Sequence, residues 1–571
     1  MNARSTGLRR SMRAKHSSTS STGETRFART ASASAAAVSS IVKARQPYPA
    51  RRGLSTRRVV SRALTARGAD GAIPGLMAEP ALDLLIKNVR VVRPTRPEVE
   101  RGDIGVRDGR IARVAPEIAA AEARRVYDGR GRLAFPGVVD AHTHVGIYGP
   151  LAEDAVHESR AAVSGGVTTM LTYFRTGQYY LNRGGRYAEL FPEVLKLSEG
   201  RYHCDYGYHL APIAAGHVDE MEALATTHGV PSFKIFMFYG GYGLHGTAGD
   251  EEQRRFLMIG PEDHYDLAHF EFVMRAAALI RARHPRLAEH VSVSLHCEMA
   301  DILNAYTRLV QKDTSLTGLA AYSAARPPHA EGLAVAVAAY LAHETACVNV
   351  NLLHLSSRKA VESALTMARA FPNVSFRREV TVGHLLLDVD APSATYAKVN
   401  PPIRPREDVE YLWRAVLEGQ VDWIVSDHAC CAAESKGAGA GGRGDIWLAK
   451  SGFGGTEYLL AGVFSEGRRR GLPLHRIAAL TAWNPARRYG LLAKGDLAPG
   501  FDADLALLDP DRAFTVSAAD SPSGQGYTPF EGQRLTGQVT ATFLRGELAW
   551  EDGRAVGPPR GRYLRRPTPT T

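Results

Sequence analysis

Between residues 136 and 490 the chain alternates two rhythms of apolar residues. Short runs rich in Val, Ile and aromatics read as strands: "GVVDAHTH", "VTTMLTYF", "DYGYHLAP", "SFKIFMF", "VSVSLHCE", "VNVNLLHLS", "VSFRREVT" and "WIVSDHA". The stretches between them, such as "HAEGLAVAVAAYLAHETA" and "EDVEYLWRAVLEG", repeat their apolar residues at helical spacing. Continuous hydrophobic strands separated by helices imply parallel pairing with both faces covered. Eight such units predict an α/β fold, a (β/α)8 TIM-like barrel, with a doubly wound open sheet as the other arrangement the pattern allows.

The flanks follow a period of two instead. "DLLIKNVRVV" and "GDIGVRDGRIARVA" precede the barrel, while "ADLALLDP" and "VTATFLRGELAWEDGRAV" follow it, with turn signals at Asp108-Gly109 and Asp552-Gly553. They predict one small β-sandwich of structural role, assembled from residues 78–135 and 491–571 beside a barrel spanning 136–490.

Composition changes this picture at one end only. A chain of 571 residues with 44% hydrophobic content fits a large globular enzyme, and no run approaches the roughly 18 apolar residues of a membrane span. The net charge of +11 suggests nucleic acid until it is located: residues 1–77 carry 15 Lys and Arg against Glu24 and Asp70, so the remainder sums to −2. That Arg-, Ser- and Ala-rich arm has too little apolar content to fold alone and reads as disordered. It is a transit segment, an arm for a polyanion, or sequence upstream of a start at Met77. Five cysteines without a CxxC pair argue against a disulfide framework and for a reducing compartment. The expected setting is cytoplasmic, with organelle targeting left open, and the expected partner is a small molecule rather than nucleic acid or membrane.

Candidate chemistry collects at the strand ends. His142 and His144 stand two apart, so both side chains share a face. His296, His354 and Asp427 close three further strands, and in a barrel such ends converge on one mouth. A lone histidine there is ordinarily structural, but this many in register predict a metal centre. Lys234 is the odd residue, one amine inside the apolar "SFKIFMFY". A buried, unpaired ammonium is disfavoured, so it must snorkel to water, lose its charge or be paired.

"GVVDAHTHVG", "SFKIFMFY", "LHCEMADIL", "LLHLSS", "KVNPPIRPREDVEYLW", "VSDHA" and "KGDLAPGFDADLALLDP" together resemble the cyclic amidohydrolases of the amidohydrolase superfamily, the group of hydantoinase, dihydropyrimidinase, allantoinase and dihydroorotase. The resemblance covers about residues 80–565. It implies two divalent metals, zinc or manganese, with His142 and His144 on one, His296 and His354 on the other, and Asp427 on the first. Lys234 is similar to the lysine that carbon dioxide converts to a bridging carbamate, an N6-carboxylated side chain; burial among Phe233, Phe236 and Phe238 would favour the free amine this needs. A hydroxide shared by the metals would attack the carbonyl of a cyclic amide or imide, Asp427 serving as base and then acid. Tyr239 matches an oxyanion donor, Asn400 a substrate contact, and Ser451 and Gly452 a loop that holds the cyclic amide by backbone groups. The family implies a homotetramer or homodimer.

The substrate is less determined. "DYGYHL", "GVPSFKIFMFY" and "GYTPFEG" lean toward hydantoinase or dihydropyrimidinase, while Asn400 in "VNPPIR" leans toward allantoinase and dihydroorotase. Gly146 stands where dihydroorotases carry a carboxylate-binding arginine. Some dihydropyrimidinase relatives are non-catalytic scaffolds that have lost metal ligands, whereas all six ligand positions are filled here. "GAGAGG" at 437–442 reads as a loop after the eighth strand, Cys430 and Cys431 as loop residues, His203, His209 and His217 as structural, and His384 stays unassigned.

Overall fold

The computed structural model describes residues 81–239, 250–437 and 444–569. The basic arm, residues 1–77, and all but the first residue of "GAGAGG" lie outside the described residues. All eight expected barrel strands form: Val138–Thr143, Val167–Phe174, Asp205–Leu210, Ser232–Phe236, Ser292–His296, Asn349–Leu352, Ser375–Thr381 and Trp423–Val425. Each pairs with its sequence neighbour, always in parallel. The ring closes between the last strand and the first through a parallel bridge of Thr143 with His428, where His144 N–H donates to His428 O at 2.7 Å. That closure selects the barrel over the open sheet. Parallel strands covered on both faces are buried throughout, which is why the run Ser232–Phe236 is buried at every position, its lysine included.

The two ends of the chain meet in a second sheet. Leu82–Val91, Glu100–Arg107, Arg110–Ala115, Ala123–Asp128 and Leu133–Pro136 come from before the barrel; Leu505–Thr515, Arg534–Leu544, Glu547–Glu551 and Arg554–Ala555 come from after it. Expected as a small sandwich, they are hydrogen-bonded as one nine-stranded sheet, the halves joining where Leu133–Pro136 pairs antiparallel with Leu505–Thr515. The Asp-Gly turns behave as their chemistry requires, with both residues left-handed at Asp108 (φ 52°) and Gly109 (φ 74°), and again at Asp552 (φ 41°) and Gly553 (φ 87°). Ile86, Val91, Ile104, Leu505, Leu507 and Phe543 pack one apolar core within it.

An ion cluster fastens this sheet to the barrel. Lys494 Nζ lies 2.8 Å from Asp205 at the start of the third barrel strand, 2.5 Å from Asp504 and 3.2 Å from Asp502, and Arg545 also grips Asp205. Burial works to discharge the Lys494 amine, but Asp205 and Asp504 outweigh it and hold its affinity for a proton well above the ordinary amine range. No helix among the described residues is long and apolar enough to cross a membrane. All five cysteines are free and buried. We predict that Lys494→Met, which leaves these carboxylates facing one another, destabilises the fold by about 3–5 kcal/mol. Asp502→Asn, at the wetter edge, should cost far less; thermal unfolding of the two variants checks the order.

Candidate active site

At the barrel mouth the backbone departs from strand geometry where the chemistry sits. His296 ends its strand, but His354 and Asp427 each lie two residues beyond the last strand residue, and both are left-handed, at φ 35° and φ 56°. Such a conformation costs a non-glycine residue of order 1–3 kcal/mol and persists only where its surroundings enforce it. Here it turns each side chain inward. His142 Nε2 comes within 3.1 Å of Asp427 Oδ1, and His144 Nε2 within 3.3 Å of the same oxygen. The His142 ring lies 5.3 Å from that of His354, which lies 4.4 Å from His296, centroid to centroid. All six candidate ligands are buried.

Three of the four rings have a partner behind them. His142 Nδ1 meets Glu379 Oε1 at 2.7 Å, and the two Glu379 oxygens also accept from His354 N–H at 3.1 Å and Trp423 Nε1–H at 2.8 Å. With Glu379 ionised, the His142 proton sits on Nδ1 and its lone pair on Nε2. His296 Nε2 likewise meets Glu298 at 2.6 Å, leaving Nδ1 as the lone pair, while Arg326 Nε holds Glu298 at 3.0 Å. His144 Nδ1 lies 2.7 Å from Tyr180 OH. Burial pushes Glu379 up to about 8, against the Trp423 hydrogen bond and Lys234. Burial also works to raise Asp427, but His142 and His144 outweigh it and hold the carboxyl well below the usual range. Burial takes His296 down to about 4.

Lys234 occupies the centre of its strand with no solvent exposure. Its Nζ lies 4.3 Å from the centroid of the Tyr173 ring and 4.7 Å from that of Phe236. The rings that desolvate the amine are therefore Tyr173 and Phe236, not the expected trio with Phe233 and Phe238. Phe233 neighbours the lysine along the strand and so points to the opposite face, and Phe238 packs on His296 at 4.3 Å. Burial, opposed by Asp427 and Glu379, brings the amine down to about 7.

Three buried polar atoms at this place have no hydrogen-bond partner: Lys234 Nζ, His142 Nε2 and His354 Nδ1. Native interiors seldom leave such atoms orphaned, and together they present a nitrogen-rich donor set beside one anionic oxygen. His142, His144 and Asp427 offer ligand atoms within 4.8 Å of one another. Imidazole and carboxylate donors of this kind fit divalent zinc or manganese. Among the described residues two other acidic groupings are otherwise engaged: in one, Glu158 pairs with His428 and Asp154 accepts from Gly146 N–H; Lys494 fills the other.

The same mouth forms a pocket lined by His144, Lys234, His296, His354 and Asp427 together with Tyr239, Asn400, Ser451 and Gly452. Every candidate site residue except His142, which lies just behind Asp427, lines it. Tyr239 stacks on Phe236 at 4.7 Å; burial raises its hydroxyl, and the charge and hydrogen bond of Arg175 pull it back. Gly452 N–H is committed to Lys398 O at 2.9 Å, and Ser451 O accepts from Tyr148 OH at 2.6 Å. The Gly452 backbone donor is thus spent within the protein. Gly146 sits at φ 83° with Leu151 only 2.8 Å from where a Cβ would stand, so no long side chain fits there.

The sequence reading missed Glu379, Glu298, Arg326, Tyr180 and Tyr322. Glu379 carried the same signal as Lys234, one ionisable residue in a strand buried from both sides. The others lie on helices and loops, where nothing in the pattern marks them.

The chain is 33% identical over 489 residues to an allantoinase of Rubrobacter xylanophilus, covering 85% of this chain and 98% of that protein. Residues 274–549 also match the model of the amidohydrolase family. The chain belongs to the amidohydrolase family. An allantoinase of Desulfitobacterium hafniense is similar to this amidohydrolase at 30% identity over 490 residues, 85% of this chain and 98% of that one. Among solved structures, an L-hydantoinase (dihydropyrimidinase) from Arthrobacter aurescens superposes with a TM-score of 0.71 at 25% identity, covering 84% of this chain and 99% of that one. The amidohydrolase depends on Glu379 to aim His142. We predict that Glu379→Gln, isosteric but uncharged, weakens metal binding by about 10–100-fold, read by titrating the metal-free protein with zinc against a competing chelator.

Proposed function

We propose that this amidohydrolase opens the ring of a cyclic amide by hydrolysis, and that the ring is a 5-substituted hydantoin, allantoin foremost. The observation that carries the reading is the set of buried atoms without hydrogen-bond partners on the candidate ligands, Lys234 Nζ, His142 Nε2 and His354 Nδ1, with His142 Nε2 3.1 Å from the Asp427 carboxylate and Lys234, His354 and Asp427 lining one pocket. Such a set is unfavourable empty and favourable around cations. His142 and His144 would hold one divalent ion with Asp427, and His296 and His354 would hold a second. Lys234 would join them as a carbamate formed with carbon dioxide, its free amine favoured by burial against Tyr173 and Phe236. The negative product suits two dications where an ammonium would repel them. When bound, such ions supply Lewis acidity and make water nucleophilic near neutral pH.

The chain's own residues do the rest. Asp427 takes the proton of the attacking water and returns it to the ring nitrogen as the C–N bond breaks, a transfer commonly worth about 10²–10⁴ in rate. Tyr239 donates to the oxygen on which charge develops. Asn400 and backbone groups of the Ser451–Gly452 loop hold the ring's polar edge. Allantoin is preferred because Asn400, not serine, stands at the contact position and because both relatives described above are allantoinases. The absence of space at Gly146 removes the anchor that dihydroorotate would need. Other hydantoins and dihydropyrimidines form the second reading, favoured by the likeness to the Arthrobacter structure.

We predict that the protein loaded with zinc or manganese turns over allantoin or a 5-substituted hydantoin, leaves dihydroorotate intact, and stops when chelated; no turnover of any ring would return the scaffold reading. Asp427→Asn should keep much of its metal while kcat falls at least about 10²-fold. Lys234→Ala should lose metal and activity together, with partial recovery on adding short-chain acids. Full activity and metal content in Lys234→Ala without such acids would exclude the bridging role.

A further inference from the structure

Where the sixth, seventh and eighth barrel strands begin, at the end opposite the candidate metal ligands, a cavity of about 430 Å³ has Asn349, Ser375 and Trp423, the first residue of each strand, in its wall. Its charge is lopsided. Four guanidiniums line it, those of Arg281, Arg377, Arg487 and Arg488, against the carboxylates of Glu289 and Asp422. Asp422 is already committed, gripping Arg377 at 2.9 Å and Arg378 at 3.0 Å.

Neutral oxygens hold the other three arginines. Arg488, buried, donates to Asn351 Oδ1 at 2.6 Å, to Asn349 Oδ1 at 2.9 Å and to the carbonyls of Val350 and Ser375. Arg487 Nη2 serves the carbonyls of Leu491, Leu492 and Lys494, while its Nε is buried without a partner. Arg281 Nε donates to Ala288 O at 2.9 Å. Asn349 brings two of them together: the amide whose oxygen accepts from Arg488 donates through Nδ2 to that same Ala288 carbonyl at 3.1 Å. Guanidiniums gathered so closely repel one another, and neutral oxygens satisfy their hydrogens without cancelling their charge. Burial brings Arg488 down to about 10, and the charge of Arg377 adds to the effect. His290, 7% exposed, stands in the same wall with Nδ1 unpartnered. Surplus positive charge beside unsatisfied buried nitrogens is a cost that a bound anion would remove.

We propose that this cavity is a binding site for a small oxyanion of carboxylate or phosphate type, with Arg281, Arg377 and Arg487 supplying the charge that holds it. Both anions present the paired oxygens that a guanidinium fork fits. The site shares no lining residue with the pocket at the barrel mouth and does not depend on which ring that pocket accepts.

Calorimetric titration at low ionic strength tests it, using the metal-loaded chain freed of unbound metal, with inorganic phosphate and separately with malonate. One saturable site is expected for at least one of them, and the tighter binder identifies the class. Arg281→Gln should weaken binding about tenfold, whereas Arg96→Gln, at a remote exposed arginine, should change it less than about twofold. Glu289→Gln, which removes a lining carboxylate, should tighten it about threefold, a gain that misfolding cannot imitate. No saturable binding of either anion overturns the proposal. So does binding that neither Arg281→Gln nor Glu289→Gln alters, which would belong to the metal centre instead. Should Arg281→Gln fail to fold, Glu289→Gln decides alone, and an unchanged affinity overturns the site.

Discussion

Lys234 stands fully buried with its Nζ against the rings of Tyr173 and Phe236, and apolar surroundings of that kind favour a neutral nitrogen over a cation. The barrel makes the burial unavoidable, since its fourth strand is covered on both faces and a lysine at its centre has no route for snorkelling to water. The imidazoles around it are themselves aimed by carboxylates set one layer back, Glu379 behind His142 and Glu298 behind His296. Remove the amine from that ring and the acids lose the reason for their placement. The closed sheet, the inward turns at His354 and Asp427, and the orphaned lone pairs all serve one small volume.

The barrel was legible because parallel strands announce themselves: eight continuous apolar runs divided by helical spacing leave few alternatives, and closure at Thr143 and His428 chose among them. The ligand-type residues were legible because they fall at strand ends, where period and position coincide. His354 and Asp427 show the limit of that rule, because each sits two residues past its strand on a left-handed turn that no pattern foretold. The desolvating rings were misjudged for a related reason. Nearness along the chain pointed to Phe233 and Phe238, whereas alternation turns Phe233 away and the partner is Tyr173, contributed by another strand. Tyr322 and Arg326 escaped notice altogether, since residues on a helix acquire meaning only when tertiary contact brings them to the wall.

The pocket's polarity is a property of the protein's interior rather than of its lining. Asn400, Ser451 and Gly452 line the pocket, and each is held from within the protein: Asn400 by Tyr322, and the loop by Tyr148 and the Lys398 carbonyl. Preorganisation of this kind reduces what binding must otherwise spend on ordering. It also means that two relatives with identical lining residues can differ in what they accept.

Glu379 takes part in both halves of the proposed centre, bonding the ring of His142 and the main chain of His354 through a single oxygen. Under that proposal the two cation positions would share one anchor. A substitution that softens one would soften its neighbour, so loading should be concerted, and a lineage abandoning metal chemistry would be expected to forfeit the pair in one step rather than pass through a one-ion form.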